Sequence, residues 1–420
     1  MTVVAVVGAQ WGDEGKGKVV DAIAPDSALV VFYAGGYEPG QTLVADGERF
    51  VLHLVPSGPL RAGKTCLLGQ GTAIDPRLAL EELAILESHG VLAGDLKIDQ
   101  RAQVVLPHHI EIDRLRGEAE GASGAPRHGI GPAYGDAVAR RGVRMGDLLL
   151  EGLEARIAAS IEASAREIDE LGGELPDAGE VTKEYVAAAE KLAGRIIDGS
   201  RLIHDLTSAG KTVVLEGPFG TMVDRDHGYY PYIVSASTVA GGACTGTGIS
   251  PRTIDRVVGV AKAYITRPGL GPLPSEVTGD LASTLQDRGG ELSPTTARPR
   301  RCGMFDVPVL RYAARVNGFD ELALTKLDVL TGIDEIPVCV GYELDGDVAD
   351  EPPFEGQSRM QPLSEMLPGW KEPLSDCRSW EDLPENARAY VEFIEKNAGV
   401  PIRFVSVGPD AAQTIERVAS

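Results

Sequence analysis

Val3-Val4-Ala5-Val6-Val7 runs directly into Gly8-Ala9-Gln10-Trp11-Gly12-Asp13-Glu14-Gly15-Lys16-Gly17-Lys18, and the join between these stretches decides the fold. An unbroken β-branched run suits a strand covered on both faces, as in a parallel sheet. The glycines that follow let backbone N–H groups turn inward on phosphate oxygens, and the lysines add positive charge. From Gly12 the spacing is Gly-x4-Gly-Lys, but Val19 stands where a conventional P-loop carries Ser or Thr. A magnesium ion bound there needs another ligand, and Asp13 is the carboxylate at hand. Gly12, Asp13, Glu14, Gly15, Lys16, Gly17 and Lys18 are therefore the candidate triphosphate grip, with Lys16 as its reactive-side cation.

Outward from this loop, Lys18–Ile23 reads as a helix. Asp75-Pro76 supplies an N-cap and a first-turn proline for a second helix that ends at Gly90. Strand-like runs recur at Thr212–Leu215, Val257–Val260, Leu322–Leu324, Val338–Val340 and Phe404–Val407. Strands alternating with helices predict an α/β fold: a large, mostly parallel central sheet with its ligands at the carboxyl ends of the strands. Residues 148–210 turn Ala/Glu/Leu-rich and are expected to be a helical excursion within a single domain spanning 1–420. The Pro- and acid-rich stretch Asp345–Ser379 reads as a long surface connection.

The bulk properties limit the function. The chain has 420 residues, 43% hydrophobic and 24% charged, with a formal net charge of −22. That charge argues against nucleic-acid binding, since a phosphate backbone would be repelled. No apolar run reaches the roughly 18 residues of a membrane span. Five scattered cysteines without metal-type spacing, and an N-terminus without a basic leader, point to a reduced, cytoplasmic protein.

Two further motifs carry chemistry. Leu324-Thr325-Lys326-Leu327-Asp328 follows a strand. Its carboxylate can accept from the N1–H and 2-amino group of guanine while the lysine stem covers the ring, which favours GTP over ATP. Ser293-Pro294-Thr295-Thr296-Ala297-Arg298-Pro299-Arg300-Arg301 packs hydroxyls and guanidinium forks into a clamp for a carboxylate or phosphate.

Together these segments resemble the adenylosuccinate synthetase family, nearly from end to end. Gly129-Ile130-Gly131-Pro132-Ala133-Tyr134, Val138-Ala139-Arg140-Arg141-Gly142, Asp226-His227-Gly228, Tyr230-Pro231-Tyr232, Ala240–Cys244 and Ser406–Asp410 extend the likeness. The resemblance implies a homodimeric enzyme using GTP and Mg²⁺. It would phosphorylate the 6-oxygen of IMP and then displace that phosphate with the amino group of aspartate. Carried over position by position, Asp13 would be base and metal ligand, and Gly40, Gln41 and Thr42 would line the metal and γ-phosphate side, Gly40 as a second metal ligand. Arg300 would face the nucleotide. Lys326, Leu327 and Asp328 would meet one side of the guanine, and Ser406, Val407 and Gly408 the other. Thr295, Thr296, Arg298 and Arg300 would hold the amino acid.

The acceptor side departs from the family pattern. The motif Gly-Gly-x-Asn-Ala-Gly-His-Thr reads Gly35-Gly36-Tyr37-Glu38-Pro39-Gly40-Gln41-Thr42, so an asparagine has become Glu38 and the catalytic histidine Gln41. Thr-Thr-Gly-Arg is replaced by Ala125-Pro126-Arg127-His128, a glutamine by Phe219 and a threonine by Val234. Arg140, which in the family crosses to the partner's IMP phosphate, remains. Glu38, Pro126 and Val234 each remove a phosphate donor, and a lost charge-assisted hydrogen bond costs about 1.5–3 kcal/mol. Glutamine donates a hydrogen bond but transfers no proton at neutral pH. The expectation is therefore a ligase whose acceptor, held by Glu38, Gln41, Pro126, Arg140, Phe219, Val234 and Arg298, is not IMP. The alternatives are an ordinary synthetase acting on IMP and a catalytically silent GTP-binding protein.

Overall fold

The strand Val3–Gly8 is buried at every residue, and successive side chains enter different cores. Val3, Ala5 and Val7 join one hydrophobic cluster, while Val4 and Val6 join another. That is the two-residue period of a strand with covered faces. Each buried valine contributes about 1.5–3 kcal/mol, so a charge placed at either face would be costly. The computed structural model describes residues 2–417 except 24, 26, 38–40, 46–47, 55–62, 91–94, 120–126 and 293–298, and without the side chains of 41–45, 48–52 and 411.

Val3–Gly8 lies inside a ten-stranded sheet. In order across the sheet the strands are Thr414–Glu416, Ile402–Ser406, Glu321–Thr325, Arg256–Lys262, Val3–Gly8, Val213–Glu216, Leu29–Phe32, Thr65–Leu68, Asp95–Asp99 and Ile196–Ile197. All neighbours pair in parallel except the last hairpin, Ile402–Ser406 with Thr414–Glu416. The chain first runs outward from Val3–Gly8 on one side. It then returns to insert Val213–Glu216 beside it and continues outward on the other. Val3–Gly8 is thus a topological switch point, where crevices for ligands open at the carboxyl ends.

The helix after the loop spans Lys16–Ile23, slightly earlier than the sequence suggested. Asp75 caps Pro76–Ser88 by accepting the N–H of Arg77, and Gly90 follows with φ of 62°. In the Ala/Glu/Leu-rich region, helices Leu153–Glu170 and Ala178–Leu192 pack on each other, with Asp177 capping the second.

Two expectations need correction. Val338–Val340 belongs to Glu335–Leu344, which lies in a separate small sheet instead of the central one. Asp345–Ser379 is not simply a connection: Asp347–Ala349 and Gln361–Pro368 pair antiparallel with Glu335–Leu344. Gln361–Pro368 is largely exposed and carries a proline at each end, so it lacks the apolar run that marks a buried strand. No helix among the described residues is long and apolar enough to cross a membrane.

Candidate functional site

Beyond Gly8 the backbone turns sharply, with positive φ at Gly12 (106°), Asp13 (58°) and Gly15 (84°). The turn Gly217–Gly220, at the end of the neighbouring strand, presses against it. A Cβ on Gly220 would lie 2.6 Å from the nitrogen of Gly12, so only glycine fits there.

Glu14 folds back into the loop and is fully buried. Its Oε1 accepts the N–H groups of Gln10 (3.1 Å) and Gly12 (2.9 Å), and its Oε2 pairs with Lys16 Nζ at 2.9 Å. Lys16 also donates to the carbonyl of Phe219. Phe219 adopts φ of 50°, a conformation that costs a non-glycine residue about 1–2 kcal/mol. The first donors of the loop are therefore held by an internal carboxylate, and helix Lys16–Ile23 begins directly after it. Beside Lys16, burial raises the carboxyl of Glu216 to about 7, with Lys16 opposing the shift.

Lys18 points elsewhere. Its Nζ donates to Ser406 Oγ (2.7 Å) and to the carbonyl of Gly408 (2.5 Å). The sequence placed these partners on the far side of the base. Burial lowers the basicity of Lys18, while Asp328 and Asp410 oppose that. Lys18 thus ties the phosphate loop to the 406–408 turn.

The guanine motif sits at the end of Glu321–Thr325. Thr325 Oγ1 donates to the carbonyl of Glu14 at 2.7 Å, which joins the motif to the phosphate loop. Lys326 has φ of 56°, and its Nζ donates to Gly289 O (2.7 Å) and Glu291 Oε1 (2.6 Å). Burial raises the carboxyl of Asp328, and Lys18 and Lys326 counter it. Leu327 and Val407 are fully buried.

Arg300 stands between two acids. Nη1 donates to Glu291 Oε2 at 3.1 Å, and Nη2 lies 3.1 Å from Asp13 Oδ2. The second contact is an ion pair by distance but is not aligned as a hydrogen bond, and the buried Asp13 Oδ2 has no hydrogen-bond partner among the described residues. A buried carboxylate oxygen without a donor suits a hard divalent cation such as Mg²⁺.

Glu291 is the residue that motif reading passed over. Burial works to raise its carboxyl, but Lys262 and Lys326 overcome it and hold it down to about 2. Lys262 is itself wholly buried, and Tyr264 completes the cluster. A lone Glu after Gly289-Gly290 carries no sequence signal; only the convergence of three strand ends reveals it.

On the acceptor side, Phe219 and Val234 are partly buried against the cluster of Trp11, Met222 and Tyr229. Tyr37 stacks between His53 and His128, with ring centroids 4.1 and 3.4 Å away. Burial and then His53 lower the basicity of His128 to about 4. Arg140 is exposed, with φ of 62°, on the turn after helix Ile130–Val138. Gln41 and Thr42 lie on the strand Gln41–Ala45, whose side chains are outside the described set. Glu38, Gly40, Pro126, Thr295, Thr296 and Arg298 lie outside the described residues.

A second buried cluster has metal-type composition: His108, His109 and Asp136. Its hydrogen bonds disqualify it as a cation site. His109 Nδ1 accepts the N–H of Leu106, so Nε2 carries the proton and donates to Asp136 at 3.1 Å. Arg141 already neutralises Asp136 at 2.6 Å.

Comparison with known proteins agrees with this geometry. The family model described as adenylosuccinate synthetase matches residues 5–415. The chain is 48% identical to an adenylosuccinate synthetase of Synechococcus sp. (strain RCC307), covering 99% of this chain and 96% of that one. It is 45% identical to that of Sorangium cellulosum, covering 99% of each. The solved, fully ligated adenylosuccinate synthetase of Plasmodium falciparum superposes with a TM-score of 0.89 at 33% identity, over 100% of both chains. With the phosphate loop, the Lys326–Asp328 turn and Arg300 gathered at one sheet edge, the chain belongs to the adenylosuccinate synthetase family and is a GTP-dependent carbon–nitrogen ligase of that type.

Proposed function

We propose that the protein uses GTP to phosphorylate an oxygen of an acceptor, and that the amino group of aspartate then displaces that phosphate. Phosphorylation is needed because oxide is a poor leaving group and phosphate a good one. One observation carries this reading: Asp13, Arg300 and Lys326, from three separate stretches of chain, are joined through Glu291 in one charged network at the carboxyl edge of the sheet, beside the loop that holds Lys16. Beside it, the N-terminus of helix Lys16–Ile23 receives the triphosphate. Lys326 and Asp328 take the guanine, with Ser406–Gly408 opposite. Asp13 removes the acceptor proton and holds Mg²⁺ through Oδ2; bound there, the ion would offset phosphate charge.

IMP is the acceptor that the relatives favour, since those compared are named adenylosuccinate synthetases over nearly the full chain. They therefore support the alternative of a genuine synthetase better than the expectation of a different acceptor. The second reading keeps a specific support: Gln41 stands where the family has its histidine, and Phe219 and Val234 offer apolar walls where it has polar groups. A catalytically silent GTP-binding protein is the weakest of the three, as Asp13 and Arg300 have no place in it. We further propose a cytoplasmic homodimer, in which the exposed Arg140 and Val138 meet the partner.

The deciding assay supplies GTP, Mg²⁺ and aspartate with IMP, and in parallel with other oxo-purine nucleotides. Adenylosuccinate formed from IMP at ordinary synthetase rates establishes the first reading. Phosphate release that depends on a different acceptor establishes the second. No aspartate-dependent GTP cleavage with any acceptor refutes both.

A further inference from the structure

Glu291 precedes the segment 293–298, and its side chain is fully buried. A carboxylate in such a place must gather donors and counter-charge or give up its own charge. It gathers four partners and divides them between its oxygens. Oε1 accepts from Tyr264 Oη (2.6 Å), Lys326 Nζ (2.6 Å) and Lys262 Nζ (3.2 Å). Oε2 accepts from Arg300 Nη1. The backbone of Glu291 is engaged as well: its carbonyl accepts the N–H of Arg300 at 2.9 Å, and Leu292 bridges Pro299. One residue therefore holds Arg300 by main chain and side chain together, at the neck of the 293–298 segment.

Lys262, Lys326 and Arg300 share this one buried acid, while Asp13 faces Arg300 and the charge of Lys326 also reaches Asp328. Lys262 and Glu291 are sealed from solvent, whereas Lys326 is 34% exposed and Arg300 12%. The two cations nearest the solvent are thus both held from one sealed carboxylate, and each also faces a further acid, Asp13 for Arg300 and Asp328 for Lys326.

We propose that Glu291 is a positioning residue that sets Lys326 for the guanine and Arg300 for the anionic side of the site from a single anchor. The inference deepens the reading of GTP as the phosphoryl donor and rests on it. When a cation takes Asp13 Oδ2, Arg300 loses its Nη2 partner but keeps its bonds to Glu291. Its freed fork then stays in place for a phosphate or carboxylate and is not lost to solvent. Lys326 stays on the same carboxylate, so the two cations keep a fixed separation. Glu291 itself touches no ligand.

The test is Glu291→Gln in the full-length protein, which keeps the shape and the carbonyl but removes the charge. GDP and ADP affinities, the KM values for GTP and aspartate, and kcat are measured beside a thermal melt. The expected result is a loss of roughly tenfold or more in GDP affinity, the size of one charged hydrogen bond, with ADP affinity nearly unchanged. The KM for aspartate rises with it. A folded variant that keeps its GDP/ADP ratio and its KM for aspartate overturns the proposal, as does an equal loss for both nucleotides. Should Glu291→Gln fail to fold, Lys262→Met/Glu291→Gln removes the buried cation left behind and is read in the same way. If the unaltered protein binds no GDP, the reading of GTP as donor fails, whatever Glu291 does.

Discussion

Around Glu291 three cations crowd one acid; around Asp136 stand one cation, Arg141, with two imidazoles and the Ser160 hydroxyl. Both carboxylates are buried, and both are satisfied by hydrogen bonds. They differ in how many cations share the carboxylate. The Asp136 cluster closes on itself: His109 is neutral, its proton aimed at Asp136, and Arg141 cancels the acid. Such a cluster holds helices Pro107–Ala119, Ile130–Val138 and Leu153–Glu170 together. The Glu291 carboxylate is instead shared by three cations, and so ties residues 262, 300 and 326 to one point.

Four measurements can break or sharpen this contrast. The largest effect belongs to Asp13, the acid that faces Arg300: Asp13→Asn should lower turnover by about 10²–10⁴, the range for a lost general base. GDP affinity measured without metal should hold or rise, since a negative charge has gone. A small change in turnover would remove Asp13 from the chemistry.

Next in size is the brace. Asp136→Asn weakens the acceptor shared by His109 and Ser160, while the 44% exposed Arg141 can rehydrate, so the loss should be about 1–3 kcal/mol. A chemical denaturation curve reads the loss. GDP affinity should stay within about twofold; a large drop would show that the two clusters are coupled.

Acid should act on the same brace. Burial depresses His109 to about 4 despite its bond to Asp136. The unfolded chain therefore takes up this proton first as the pH falls below about 6.5. Stability from this group is complete above that value and drains away down to about 4, losing about 2 kcal/mol between pH 6.5 and 5. Denaturation midpoints at those two pH values, compared with His109→Gln, isolate it. An unchanged slope in the variant would assign the acid sensitivity elsewhere.

The last effect, opposite in sign to that of His109, is expected at Glu216, raised to about 7. The unfolded carboxyl ionises from about 4.3 upward, so the folded state loses ground as the pH rises from there through 7. Glu216→Gln should therefore gain more at pH 8 than at pH 5, by about 2–3 kcal/mol. A gain that is equal at both pH values would reflect packing and not charge.

Several features could be read from the chain because they are local. The run Val3–Val7 needs nothing beyond its own side chains to declare a buried strand, and Asp75-Pro76 declares a helix start. The Lys326–Asp328 turn was legible for the same reason. Gln361–Pro368 was not, because an exposed antiparallel strand is specified by the partner it pairs with. Lys18 was assigned to phosphate by its place in the motif, yet its Nζ lies on Ser406 and Gly408.

The sequence by itself determined the strand–loop–helix join at Val3–Lys18, the turn Lys326–Asp328 and the parallel sheet that carries them. Each depends on residues within about one turn of one another, whose backbone geometry is dictated by their own side chains. The tertiary structure alone decided which charges meet. Lys18 and Ser406 are 388 positions apart, Glu14 and Thr325 311, and Lys326 and Glu291 35. Electrostatic partnership depends on distance in space and on burial, and neither is written in the spacing of residues along the chain.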